Sequence, residues 1–229
     1  MTDDLGTVLI TGGASGLGAA VVDAVADAGG RPQVLDLHPP KRDVPHVTAD
    51  LADTRATEAA VAELARTDGA PDAVVTAAGI DHPAPFDALD ATDWERVVAV
   101  NLLGTAAVVR ATLPHLKEHG GRIVTVASTL GLKAVPDATA YCASKFGVLG
   151  FSRALAAETA GRVAVTTLVP GGMHTAFFDG RDEQYRPPED AKLNRPEDTA
   201  AAVLHALRQP AGCEIRELVV CHSEEGSWP

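Results

Sequence analysis

The feature that most narrows what this chain can become is the run Thr11-Gly12-Gly13-Ala14-Ser15-Gly16-Leu17-Gly18. It sits between a short apolar, β-branched stretch at Thr7–Ile10 and an Ala/Val-rich helical pattern that continues to about Ala28 and stops at Gly29-Gly30. Strand, glycine turn and helix in that order open a β-α-β unit. Glycines let the backbone turn tightly and approach a ligand closely, while the helix N-terminus turns free N–H groups and the positive end of its dipole toward a pyrophosphate. The spacing here is T-G-x-x-x-G-x-G rather than the G-x-G-x-x-G of the commonest dinucleotide sites.

The rhythm set by that unit persists. Short apolar runs at Pro32–Leu37, His46–Ala49, Asp72–Thr76, Arg122–Ala127, Val163–Val169 and Ile215–Cys221 read as strands. Helical periodicity falls between them at Thr54–Arg66, Asp93–His119, Ala140–Ala160 and Glu197–Leu207, with Pro114 as an expected kink in the second of these. Such alternation predicts an α/β fold with a parallel sheet covered by helices on both faces. Its 229 residues suit one domain spanning 1–229. In that domain the charged, Pro187-Pro188-broken segment at about 174–196 forms a loop over the site.

Ligands of such sheets lie beyond the carboxyl ends of the strands. Asp36, Asp50 and Gly79 all fall there. An acid at the end of the second strand accepts hydrogen bonds from ribose hydroxyls and repels a 2′-phosphate. Ser15 is not basic and Leu37 is not Arg, so Asp36 favours NAD and disfavours NADP.

Tyr141 and Lys145, four apart on a helix, share one face. A phenol titrates near ~10, and a fixed cation beside it is expected to pull that value toward the working range of an acid/base catalyst. Alone the pair is weak, because a Tyr and a Lys so spaced meet by chance on many helices. Ser128, at the end of the fifth strand and thirteen residues before Tyr141, is placed to bond a substrate oxygen. Asn101 interrupts an apolar helix face and needs partners there.

A formal charge of −12 argues against unaided binding to nucleic acid or an anionic membrane. Cys142, Cys213 and Cys221 have no metal-ligand spacing, so no metal site is expected. With no signal-peptide pattern and no apolar run judged long enough to span a bilayer, the chain reads as cytoplasmic with reduced thiols.

Over nearly its whole length the chain resembles the short-chain dehydrogenase/reductase family. The resemblance rests on Thr11 to Gly18, Asp50-Leu51, Ala78-Gly79, Asn101, Ser128, Tyr141 with Lys145, and Pro170-Gly171 with Thr175, in family order. It implies a single-domain, doubly wound Rossmann-like fold with a seven-stranded parallel sheet. It also implies a nicotinamide cofactor, a small alcohol or carbonyl substrate, and a homodimer or homotetramer. Tyr141 resembles the acid/base, Lys145 its electrostatic partner and a ribose ligand, Ser128 the group orienting the substrate oxygen, and Asn101 the holder of a relay water.

By the same resemblance Gly12, Ser15 and Leu17, with Gly16 and Gly18 in the turn, follow the diphosphate, and Asp36 takes the adenosine ribose. Asp50 and Leu51 meet adenine, Ala78 and Gly79 flank that ribose, and Pro170, Gly171, Met173 and Thr175 lie near the nicotinamide. His82, Thr129, Leu130, Leu132, His174, Phe177 and Phe178 are candidates for the pocket wall. Ala77 replaces the family's usual Asn, which puts local rigidity in question, and His222 to Pro229 replaces its glycine-rich ending. Two other readings share the pattern. One is a reductase of carrier-bound 3-oxoacyl thioesters using NADPH, against which Asp36 and the acidic composition count. The other is a dinucleotide-binding redox sensor, which would have no need of Tyr141, Lys145 and Ser128.

Overall fold

A computed structural model describes residues 5–227. Seven strands, β1 (Thr7–Thr11), β2 (Arg31–Asp36), β3 (His46–Thr48), β4 (Ala73–Thr76), β5 (Arg122–Val126), β6 (Ala164–Pro170) and β7 (Glu217–Val220), form one sheet in the order β3-β2-β1-β4-β5-β6-β7. All six pairings are parallel. Hydrophobic alternation decides which side each residue serves, since successive strand residues point to opposite faces. Val8 and Ile10 of β1 join one apolar cluster and Leu9 the other. Ala73 and Val75 of β4 follow Val8 and Ile10, while Val74 follows Leu9.

Helices α1 (Gly16–Asp27) and α6 (Pro196–Leu207) pack together on the first face. The second is covered by α2 (Thr54–Asp68), α4 (Thr105–His119) and α5 (Thr139–Glu158). Asp53 caps α2 by accepting from the N–H groups of Arg55 and Ala56, both at 3.0 Å. This is the Rossmann-like, doubly wound arrangement expected from the rhythm of the sequence. The chain leaves β1 toward β2 and β3 and then returns to β4 on the other side. The switch point therefore lies between β1 and β4, where a crevice opens beyond the strand ends.

The long helix read as Asp93–His119 runs from Ala91 to His119 and is regular in two pieces, α3 (Ala91–Val98) and α4, joined by a π-helical turn at Ala99–Gly104. The departure from α geometry thus falls at Asn101, and α4 continues through Pro114 to its end. The expectation that no segment is long enough to span a bilayer needs correction: this continuous helix is long and apolar enough by length and composition. The sequence looks broken at Asn101 and Pro114, yet the helix passes through both. Val100, Val108, Val109 and Leu116 on its inner side belong to the core beneath the sheet.

Candidate active site

The glycine turn makes a bare floor because side chains do not fit. A Cβ on Gly18 would stand 2.1 Å from the Gly12 carbonyl oxygen, and one on Gly12, whose φ is +73°, would stand 2.7 Å from Ala78 Cα. Above that floor lies a cleft of about 620 Å³, the size of a small-molecule site. Every residue expected to touch a cofactor lines it: Gly12, Ser15, Gly16, Leu17, Gly18, Asp36, Asp50, Leu51, Ala78, Gly79, Tyr141, Lys145, Pro170, Gly171, Met173 and Thr175. Ser128 lines it too. These residues fit an elongated dinucleotide, with carboxylates at one end, bare backbone and a helix start in the middle, and a phenol and hydroxyl at the other.

At the first end, Asp36 accepts from Ala14 N–H in the glycine turn and from His38 N–H, each at 3.0 Å, so its carboxylate is oriented by backbone before any ligand arrives. Asp50 accepts from Ala52 N–H at 2.9 Å and pairs with Arg96 at 3.0 Å. That backbone bond first, and Arg96 after it, hold the Asp50 carboxyl below the usual range. Arg96, from α3, also lines the cleft, and sequence reasoning missed it.

At the other end, Tyr141 is half-buried on the first turn of α5, and Lys145 is 4% exposed one turn on. Lys145 Nζ lies 5.5 Å from the Tyr141 ring centre and donates to Val126 O at 2.9 Å, at the end of β5. Ser128 Oγ also caps the short turn after β5, accepting from Leu130 N–H at 3.1 Å. The same side chain thus caps this turn and lines the cleft.

The electrostatics correct one expectation. In the protein alone burial pushes the Tyr141 phenol above its ordinary value, and the Ser128 hydroxyl and Arg181 offset this only in part. The cation expected to lower it is itself desolvated: burial takes Lys145 down to about 8, with Asp81 acting the other way. A phenol, not a phenolate, is thus the resting form at neutral pH.

Asn101 stands behind the wall of the cleft, 1% exposed, and both ends of its amide are engaged. Its Nδ2 donates to Ile80 O at 2.9 Å and to Ser144 Oγ at 3.0 Å, while Oδ1 accepts from Ile80 N–H at 2.8 Å. Ser144 Oγ in turn donates to Tyr141 O at 2.8 Å. The rigidity that Ala77 put in question is supplied by this clamp and by Thr11 Oγ1, which accepts from Ala78 N–H at 3.1 Å. Nδ2 is thus spent on protein partners, and the main-chain carbonyl accepts from Thr105 Oγ1 at 2.8 Å, so Oδ1 and the carbonyl oxygen each have at most one lone pair for a relay water.

Of the expected wall residues, Thr129, Leu130, Phe177 and Phe178 line the cleft and His82, Leu132 and His174 do not. His82 turns to Asp93, 3.5 Å away, Leu132 packs against the cluster around Val148, and His174 N–H donates to Asn194 O, tying the two ends of the loop. Sequence reasoning missed Asp81, Arg181, Glu225 and Ser227, which line it. Glu225 Oε2 accepts from Gly172 N–H at 2.9 Å, and the Ser227 and Thr129 hydroxyls are 2.7 Å apart, so residues 222–227 fold over this end of the cleft.

Residues 6–186 match the family model described as short chain dehydrogenase, and the chain belongs to that family. It is an oxidoreductase of the Rossmann type that uses a nicotinamide cofactor and acts on CH–OH groups. It is 38% identical over 176 residues to a D-threitol dehydrogenase of Mycolicibacterium smegmatis, covering 71% of this chain and 68% of that protein. It is 35% identical over 182 residues to a 2-dehydro-3-deoxy-L-rhamnonate dehydrogenase (NAD(+)) of a Sphingomonas species, covering 75% and 73%. An alcohol dehydrogenase from the archaeon Thermococcus sibiricus, complexed with 5-hydroxy-NADP, superposes with a TM-score of 0.84 at 22% identity over 96% of this chain and 97% of that one.

Proposed function

We propose that this chain is an NAD(H)-dependent enzyme exchanging a hydride between its cofactor and a secondary alcohol or ketone of modest size, with Tyr141 as acid/base. The observation that carries the reading is the convergence of Tyr141, Lys145 and Ser128 on one end of a cleft whose floor is the glycine turn. The nicotinamide, when bound, accepts or returns the hydride. Ser128 orients the substrate oxygen. In reduction the Tyr141 phenol gives its proton to the carbonyl oxygen as hydride reaches carbon; in oxidation the phenolate oxygen takes the hydroxyl proton as hydride leaves. Lys145 favours the anionic state of that oxygen and binds ribose. Asn101 holds the loop around Ile80 and the start of α5, and through its carbonyl oxygen a relay water.

The glycine-turn residues follow the diphosphate, Asp36 the adenosine ribose, and Asp50 with Leu51 the adenine. NAD is favoured because a 2′-phosphate would meet Asp36. Arg96, the cation on that side, is already paired with Asp50. The same feature weighs against a 3-oxoacyl-thioester reductase using NADPH. We place the enzyme in the cytoplasm, as three free thiols suit, and read it as one catalytic domain with 174–196 as its substrate loop.

Titration of both reduced cofactors by fluorescence, followed by a panel of secondary alcohols and ketones with each, tests the reading. NADH should bind at least about tenfold tighter, a difference of ~1.4 kcal/mol. Equal or tighter NADPH binding would remove the role given to Asp36, and no turnover across the panel would remove the activity.

A further inference from the structure

Two charged side chains not used in that chemistry meet beside it. Asp81, just past β4, and Arg181, in the loop after β6, are 3.1 Å apart, with side chains only 5% and 12% exposed. The Arg181 guanidinium carbon lies 4.7 Å from the Phe177 ring centre and 4.8 Å from that of Phe178. The Phe177 ring lies 5.7 Å from that of Tyr141, and all of these residues line the cleft. Burial raises the Asp81 carboxyl above its ordinary value while Arg181 draws it back.

Such a pair is expensive to desolvate and adds little stability by itself. This one is also incomplete: Arg181 Nη2 is the atom 3.1 Å from Asp81 Oδ2, out of hydrogen-bonding line with it, and Arg181 Nε is left with no hydrogen-bond acceptor. Asp81 uses one oxygen on His82 N–H at 2.8 Å and keeps further lone pairs. Both residues line the cleft, and the small part of each side chain still open to it is a place for a ligand's oxygen. The pair is neutral as a whole, so a carboxylate drawn to Arg181 would be opposed by Asp81, and an alkyl chain would leave both groups unfilled. A hydroxyl donates and accepts, and so matches a donor and an acceptor side by side.

We infer that Asp81 and Arg181 form a substrate-anchoring site that takes a second hydroxyl near the reacting carbon, and that the substrate is a polyhydroxylated chain or ring. The inference rests on the alcohol-oxidation reading for the first hydroxyl and adds the determinant for the second. Phe177 and Phe178 lie against the guanidinium in cation–π contact and so restrain its position in the cleft wall.

Five-carbon substrates that differ only in polar groups test this: the pentitols, pentan-2-ol and 4-hydroxypentanoate. At least one pentitol should exceed pentan-2-ol in kcat/KM by about 100-fold or more, the scale at which unfilled hydrogen-bonding groups reject an analogue. In the Asp81→Asn/Arg181→Met double variant, which leaves neither charge unpaired, that ratio should fall at least about tenfold, mainly through KM. A purely structural role would lower both substrates alike and leave the ratio. Pentan-2-ol matching every pentitol, 4-hydroxypentanoate preferred to both, or an unchanged ratio in the double variant overturns the inference. Saturation-transfer NMR of the pentitols on the Tyr141→Phe protein separates this from the activity. A signal that the added double substitution abolishes supports the anchor even if no alcohol turns over, and no signal, or one that survives, sinks it.

Discussion

Tyr141 and Lys145 each titrate where burial pushes them, and that sets how the site responds to pH. Tyr141→Phe removes only the ionisable oxygen, so NADH binding should survive while turnover falls by ~10²–10⁴, the range of general acid/base work; cofactor titration beside initial rates checks both halves. Lys145 falls from 10.5 to about 8 on folding. Its ammonium is therefore lost as pH rises through about 8, and kcat/KM should decline there. Lys145→Arg should move that decline upward. For stability the sign is opposite. Between about 8 and 10.5 the unfolded chain holds the extra proton, so this group's contribution rises with pH across that window and is a constant penalty below it. Spacing made Tyr141, Lys145 and Ser128 legible in the sequence, because helix periodicity and strand ends fix where such residues point. Asp81 and Arg181 were not legible. They come from two irregular segments a hundred positions apart, and no periodicity links them.

Among the elements, the sheet was the most readable, since apolar runs alternating with helices leave few topologies open. Edges shifted by a residue or two, as at β1, which runs on to Thr11, and α2, which continues to Asp68. The π turn at Ala99–Gly104 could not be read, because its cause is a set of long-range bonds that pull Asn101 toward Ile80 and Ser144. Asn101→Ala would leave the Ile80 N–H and C=O groups without these partners, at about 1–3 kcal/mol each. We expect a lower melting temperature together with weaker NADH binding, measured by thermal unfolding and titration. A variant as stable as the parent that lost only turnover would instead put the Asn101 side chain itself, and not just its carbonyl, in the proton path.

For the whole molecule, the exposed apolar side chains on the helical face opposite the sheet point to assembly. Leu103, on the π turn, is 50% exposed and Phe146, on α5, 46% exposed. We expect two copies to pair through this face, so that Phe146→Asp shifts the protein toward a monomer in light scattering at micromolar concentration; a wild-type monomer would refute the pairing. The ending from His222 onward defied reading because it lacks periodicity and the family's usual glycines. In the fold residues 222–227 reach back from β7 to the turn after β5, and Trp228 and Pro229 lie outside the described residues. That reach has a consequence in time. The Thr129–Ser227 contact joins residues 98 positions apart. At ribosomal rates of about 5–20 residues per second, roughly 5–20 s separate the making of its two ends. During that interval a growing chain passes through Tyr141 and Arg181 but still lacks Glu225 and Ser227, so this end of the cleft is completed only after every other described lining residue has been made.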